Sequence, residues 1–374
     1  MANKVEFAHA LRGVAALSVM IAHYCGTFFQ HHPAIAALLL VPSLPLVPEV
    51  SGIAAIAGRF GIVLSQFGVG VFFIISGFVI PFSMTSGNGH NFVLRRVFRI
   101  FPVYIAGFSA VALSIWLLTR SYGTPFDYSL GHLASHFGII SRGLLGYSRI
   151  DGISWTLEVE LWFYVAMAIG GFWLFRSGPK AFYVATVFIA LLSIVSTHLL
   201  RTGHYNLVGG TGFQLWASML LILGLAYHAL FRAQVTVPQF CRIHVAIAAL
   251  MGTVWLFSDR SVYHWQWPAG YLLAMLVFAT GYVCRSHIRA GPVLSHLADI
   301  SYPLYVVHAL MGYAIMYVLI GTGYGPHAAI LIAMMTSYCV AVVLHYAVEK
   351  PFIRLGRAAT SPSKARSAPS RARS

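Results

Sequence analysis

Leu11-Arg12-Gly13-Val14-Ala15-Ala16-Leu17-Ser18-Val19-Met20-Ile21-Ala22-His23 is an apolar run that carries one cation and one imidazole. It lies within residues 9–29, a stretch of the roughly 20 residues that a helix needs to cross a bilayer. Arginine and histidine are costly in hydrocarbon and are kept there for function or for a paired structural role. Eleven residues separate Arg12 from His23, about three helical turns, so both fall on one face about 16 Å apart along the axis. A cation near one membrane face and a proton acceptor deeper in the bilayer suit a long anionic substrate with a reactive tip.

The rest of the chain repeats the apolar pattern. Of 374 residues, 59% are hydrophobic and 9% are charged, against about 25% charged in a soluble domain. Apolar runs broken by polar or Gly/Pro-rich turns predict an all-α, polytopic integral membrane protein of about ten spans. They fall near residues 9–29, 67–86, 100–119, 154–174, 181–200, 212–231, 244–258, 267–284, 300–321 and 327–348. Residues 30–66 are apolar too, but Pro33, Pro42, Pro45 and Pro48 argue against one straight helix. That stretch is expected to be re-entrant or interfacial and to cap the outer face.

Net charge is +15, unevenly placed. With the N-terminus inside, the cytoplasmic segments hold 18 of the 24 basic residues, which by the positive-inside rule puts both termini in the cytoplasm. No basic stripe with interleaved aromatics reads as a nucleic-acid surface. Residues 1–357 form the expected membrane domain. Residues 358–374, basic and low in complexity, are expected to be a disordered cytoplasmic tail on the lipid surface. The cysteines Cys25, Cys241, Cys284 and Cys339 lie in or beside different spans and suggest neither disulfides nor zinc. Ala22-His23-Tyr24-Cys25 lacks the small residues of a cleavage site, so the first span reads as uncleaved.

Further intramembrane clusters join Arg12 and His23. Gly70–Phe78 contains Ser76 and Gly77, which allow close backbone approach and offer one hydroxyl; on spacing alone small-residue helix packing is the plainer reading. Arg96 and Arg99 sit three apart on one helical face just before the third span, and guanidinium pairs clamp phosphates; a topology signal is the plainer reading. In Asp151–Tyr164, Glu158 and Glu160 point about 200° apart on a helix. Glu160 lies deeper and is the stronger functional candidate, against a structural role as partner of an intramembrane Arg or His. His308 is a second intramembrane histidine, with structure and function both open. His31-His32 and His132/His136 have spacings that could suit a metal, but no carboxylate or cysteine stands near them, and no metal is expected.

These residues resemble a known family. Arg12-Gly13-x-Ala15 with His23 resembles the R-G-x-x-A…H opening of the membrane-bound acyltransferase 3 family, and Phe72-Phe73-x-x-Ser76-Gly77-Phe78 its F-F-x-x-S-G-F run. Arg95-Arg96-x-x-Arg99-Ile100-x-Pro102 is similar to R-R-x-x-R-I-x-P. Trp155-Thr156-Leu157-x-x-Glu160 is similar to W-S-L-x-x-E, with threonine for serine. Ser301-Tyr302…Tyr305-x-x-His308 and Glu349-Lys350-Pro351 resemble the late S-Y-x-x-Y-x-x-H and closing E-[RK]-P motifs. The six follow the family's order from residue 12 to 351. There are departures: Ala8-His9-Ala10 replaces the aspartate common before L-R-G, Glu158 stands where a small polar residue is commoner, and Trp162 where glutamine is common.

The resemblance implies a multi-pass enzyme of the inner (plasma) membrane that acylates sugars at bacterial surfaces. Acyl-CoA, with acetyl the default, is then a co-substrate, and no cofactor is permanently bound. Arg12, Arg96 and Arg99 would hold the CoA phosphates. His23 would be the general base on an acceptor hydroxyl, Ser76 or a backbone N–H near Gly77 the oxyanion donor, and Glu160 the group that orients His23 or binds the sugar. Direct transfer and an acyl-histidine relay both remain open, while Cys25 sits on the wrong face for a relay. Exopolysaccharide, lipopolysaccharide O-antigen or a lipid-linked sugar are the expected acceptors of a stand-alone enzyme embedded in membrane lipid. Two other classes fit the residues: a secondary transporter or flippase working through His23, Glu160 and His308, and a scaffold subunit of an export complex. The first would often show inverted repeats, and none is visible.

Overall fold

The computed structural model describes residues 5–84, 89–176, 178–201, 211–257 and 265–361. The fold is all-helical, with no strand among the described residues. Ten long helices fall where the ten spans were expected. They are α1 Glu6–Gln30 and α2 Gly61–Ser83, α3 Gly89–Tyr122, α4 Ser154–Arg176, α5 Lys180–Arg201, α6 Thr211–Phe231, α7 Val237–Phe257, α8 Gln266–Val283 and α9 Ser301–Gly321, and α10 Pro326–Ala359. Among the described residues, eight are long and apolar enough on their own to cross a membrane; α4 and α8 complete the bundle.

Boundaries moved where neighbouring chain supports a longer helix. The third span was expected to open at residue 100, after its arginines. Instead α3 runs unbroken through Pro102 for 34 residues, about 51 Å at 1.5 Å per residue, against a hydrocarbon core of about 30 Å. The helix is thus longer than one core thickness, and its first turns carry Arg95, Arg96 and Arg99. They are held helical by α10: Arg95 Nε donates to Thr360 Oγ1 at 2.6 Å, and Phe98 lies against Gly356. The tail was expected from residue 358. Helix α10 continues through Ala359 and Thr360 is buried, while 362–374 lie outside the described residues.

Residues 31–60 are not one helix, as the prolines required. Short helices His32–Leu38 and Gly52–Arg59 flank an extended stretch. Cross-chain hydrogen bonds tie it down, from Tyr317 Oη to Pro42 O at 2.5 Å and from Tyr128 Oη to Leu38 O at 2.8 Å.

Helix α2 packs against α1, α6 and α8, and α9 against α3 and α10. The α2–α6 crossing is close because Gly77 faces Gly224; a Cβ on Gly77 would run into the carbonyl of Leu221. Small-residue packing therefore does explain Gly77, while its neighbour Ser76 turns the other way, into a cavity. Helices α5 and α7 stand at the edge. Val184, Phe188, Leu191 and Val195 of α5 form an exposed apolar face suited to lipid.

Candidate functional site

A cavity of about 90 Å³ opens between α1, α2, α3, α4 and α9. Arg12, Ser76, Arg96, Arg99 and Glu160 all line it, although they are spread over 149 residues of sequence. Helical spacing explains part of this: Arg96 and Arg99 share a face of α3, so a single rotation of that helix presents both.

Glu160 is the one carboxylate on this wall. It accepts from Ser76 Oγ at 2.9 Å and from Tyr164 Oη, one turn further along α4. Arg96 is braced, donating from Nη2 to Ser83 Oγ at 2.9 Å and lying over the rings of Phe92 and Tyr164 at 5.4 and 5.2 Å. Among the described residues, Arg12 and Arg99 have no ion pair or hydrogen-bond partner. Three guanidinium groups thus face one carboxylate, and the cavity carries excess positive charge that a bound anion would balance.

His23 does not line this cavity. It sits where α1 widens into a π-helical turn, Ala22–Thr27, a local irregularity frequent at functional sites. From there it faces α9. Its Nδ1 is 2.6 Å from Tyr313 Oη, and the two rings stack at 5.9 Å. The His308 ring lies edge-on at 4.8 Å. Tyr305, one turn before His308, lines the arginine cavity, and its ring centre is 5.6 Å from that of His308. The order across the bundle is therefore arginine cavity, Tyr305, His308, His23, Tyr313.

This separates residues that the sequence reading had joined. Glu160 makes no contact with His23; it serves Ser76 and Tyr164 two rings away. Ser76 gives its proton to Glu160 and faces the arginines. A carboxylate is drawn to the cations, since burying it beside a neutral imidazole would leave both Glu160 and the arginines uncompensated. The group that touches His23 is Tyr313, five residues past His308, which no spacing had marked. Tyr164 was within reach of sequence reasoning, being i+4 from Glu160.

Glu158 points away, as its helical angle required. It bonds Arg142, Arg149 Nη2 at 2.8 Å and Gln214 Nε2 at 2.7 Å, pinning residues 142–149 to α4 and α6. Trp162, on the same helix, is exposed. Outside the spans, His136 donates from Nδ1 to His132 O and accepts from Ile150 N; burial pushes its pKa down, partly offset by that carbonyl contact. No group of three metal-ligating side chains occurs among the described residues.

The sequence model of one family, described as an acyltransferase domain, matches residues 5–346. The chain belongs to this acyltransferase family. It is 24% identical over 320 residues to nodulation protein 10 of Rhizobium leguminosarum bv. viciae, covering 79% of this chain and 84% of that protein. No solved structure matches the chain.

Proposed function

We propose that this membrane acyltransferase moves an acyl group, acetyl by default, from acyl-CoA to a hydroxyl of a surface or exported carbohydrate. The observation that carries the reading is the cavity in which Arg12, Arg96 and Arg99 outnumber Glu160, one tyrosine and one imidazole away from His23. Guanidinium groups on the long inner end of α3 suit the phosphates of a cytoplasmic donor. A cavity of about 90 Å³ takes in only part of so long a molecule, so the pantetheine arm continues past Tyr305 toward the imidazoles.

In this scheme His23 Nδ1–H donates to Tyr313 Oη. The His23 Nε2 lone pair is then free to take the proton of the acceptor hydroxyl. The oxygen attacks the thioester carbonyl carbon, the C–S bond breaks, and the departing thiolate takes the proton back from His23. Tyr313 fixes the tautomer. Glu160 and Ser76 belong to the donor cavity, where Glu160 offsets the arginines until the phosphates arrive.

The test is transfer of radiolabelled acetate from acetyl-CoA to extracted surface glycan by the full-length protein in lipid nanodiscs. Label must appear in the glycan with the wild type and be lost with His23→Ala. Equal transfer by both proteins would overturn the assignment of the base, and none by the wild type would overturn the activity.

A further inference from the structure

His308 is 1% exposed. Its Nδ1 lies 2.8 Å from Tyr305 O and 3.2 Å from Leu304 O. Carbonyl oxygens only accept, so Nδ1 carries the ring proton and Nε2 is a lone pair. That Nε2 is buried with no hydrogen-bond partner. An unpaired buried acceptor is costly, on the order of 1–3 kcal/mol, and in a native protein it calls for an explanation.

The surroundings hold this lone pair in place. Tyr24 Oη donates to the His308 carbonyl at 2.5 Å and meets Ser337 Oγ at 2.7 Å. Gly312 leaves the room for Tyr24, because a Cβ there would collide with its ring and hydroxyl. Three elements, α1, α9 and α10, thus converge to fix one turn of backbone under an imidazole whose outer nitrogen has no hydrogen-bond partner.

We propose that His308 is a second substrate-facing imidazole, whose Nε2 accepts a hydrogen bond from the acceptor hydroxyl adjacent to the one that His23 deprotonates. The proposal rests on the acyl-transfer reading above. A hydroxyl has one proton and cannot give it to both rings. Two imidazole acceptors with ring centres 4.8 Å apart therefore call for two neighbouring O–H donors. Sugars carry hydroxyls on adjacent carbons, whereas a monohydroxylic alcohol offers only one. His308 aligns the acceptor and takes no proton; His23 performs the transfer.

The experiment compares His308→Asn with His308→Gln in the full-length protein, using labelled acetyl-CoA and the host's total surface glycan. Asparagine keeps an N–H near Nδ1 for the two carbonyls and removes the outer acceptor. Glutamine sets an amide oxygen near the position of Nε2. The expected result is a loss of about 10- to 100-fold in kcat/KM for glycan with Asn, recovery of most of it with Gln, and an unchanged KM for acetyl-CoA. Wild-type activity in the Asn variant would show that the lone pair holds no acceptor, and a raised acetyl-CoA KM would assign it to the donor; either overturns the proposal. Nitrogen-15 histidine spectra of the wild type give a second measurement that needs no variant to fold. An unprotonated Nε2 whose resonance shifts on adding glycan supports the proposal, and a protonated or unmoved Nε2 sinks it. If the wild type transfers no label, the acyl-transfer reading fails on its own, and the nitrogen resonance still reports whether glycan reaches His308.

Discussion

The arginine cavity and the histidine cluster lie side by side in one bundle but are built from opposite materials. The cavity holds formal charges, Arg12, Arg96, Arg99 and Glu160, and the partners of Arg96 and Glu160 are hydroxyls and aromatic faces. The cluster of His23, His308, Tyr313, Tyr24 and Ser337 is bonded only by neutral hydroxyls and backbone carbonyls. Excess charge binds an ionic ligand and is tolerable near a membrane face. In the proposed reading the charged cavity binds the donor and the uncharged cluster carries the base.

The sharpest way to break this division is His23→Ala. Loss of a general base should lower the turnover of acyl transfer by about 10²–10⁴-fold, with acetyl-CoA affinity by calorimetry unchanged; a matching loss of affinity would mean that the two regions are one site. Next comes Glu160→Gln. Removing the counter-charge of a buried group of ions should destabilise the donor-free protein by about 3–5 kcal/mol. Its thermal midpoint in detergent should fall, and CoA should restore it more than it raises that of the wild type. Were Glu160 instead the partner of His23, turnover would fall while the midpoint held.

Arg96→Ala should cost roughly 1.5–3 kcal/mol of donor binding, the range for a hydrogen bond to a charged group, read as a raised KM for acetyl-CoA at an unchanged KM for glycan. The smallest effect is expected from Tyr313→Phe, which removes the tautomer-fixing bond. About 1 kcal/mol, or five-fold in kcat, is the expected scale, with both KM values unmoved. A drop comparable to that of His23→Ala would promote Tyr313 from positioning to proton transfer.

The membrane class and the places of the long helices were legible because hydropathy and charge are properties of local sequence. The site's partition was not. The offset of Arg12 and His23 along one helix was readable, but the helix that His23 faces was not, since packing sets it. Glu160 was singled out over Glu158, yet its partners depended on which helices came to face α4. Tyr164 could have been found from its i+4 spacing, whereas Tyr313, Tyr24 and Ser337 could not, since a tyrosine or serine inside an apolar span looks the same whether it faces lipid or a histidine.

By itself, then, the sequence determined that this chain crosses a membrane many times and that arginine, histidine and glutamate are kept within it. Period, length and the cost of burying charge act within one segment, so one segment reveals them. Only the tertiary structure decided that Glu160 answers to arginines and His23 to a tyrosine. Such pairings are set by helix rotation and packing between segments up to 290 residues apart, and no single segment contains that information.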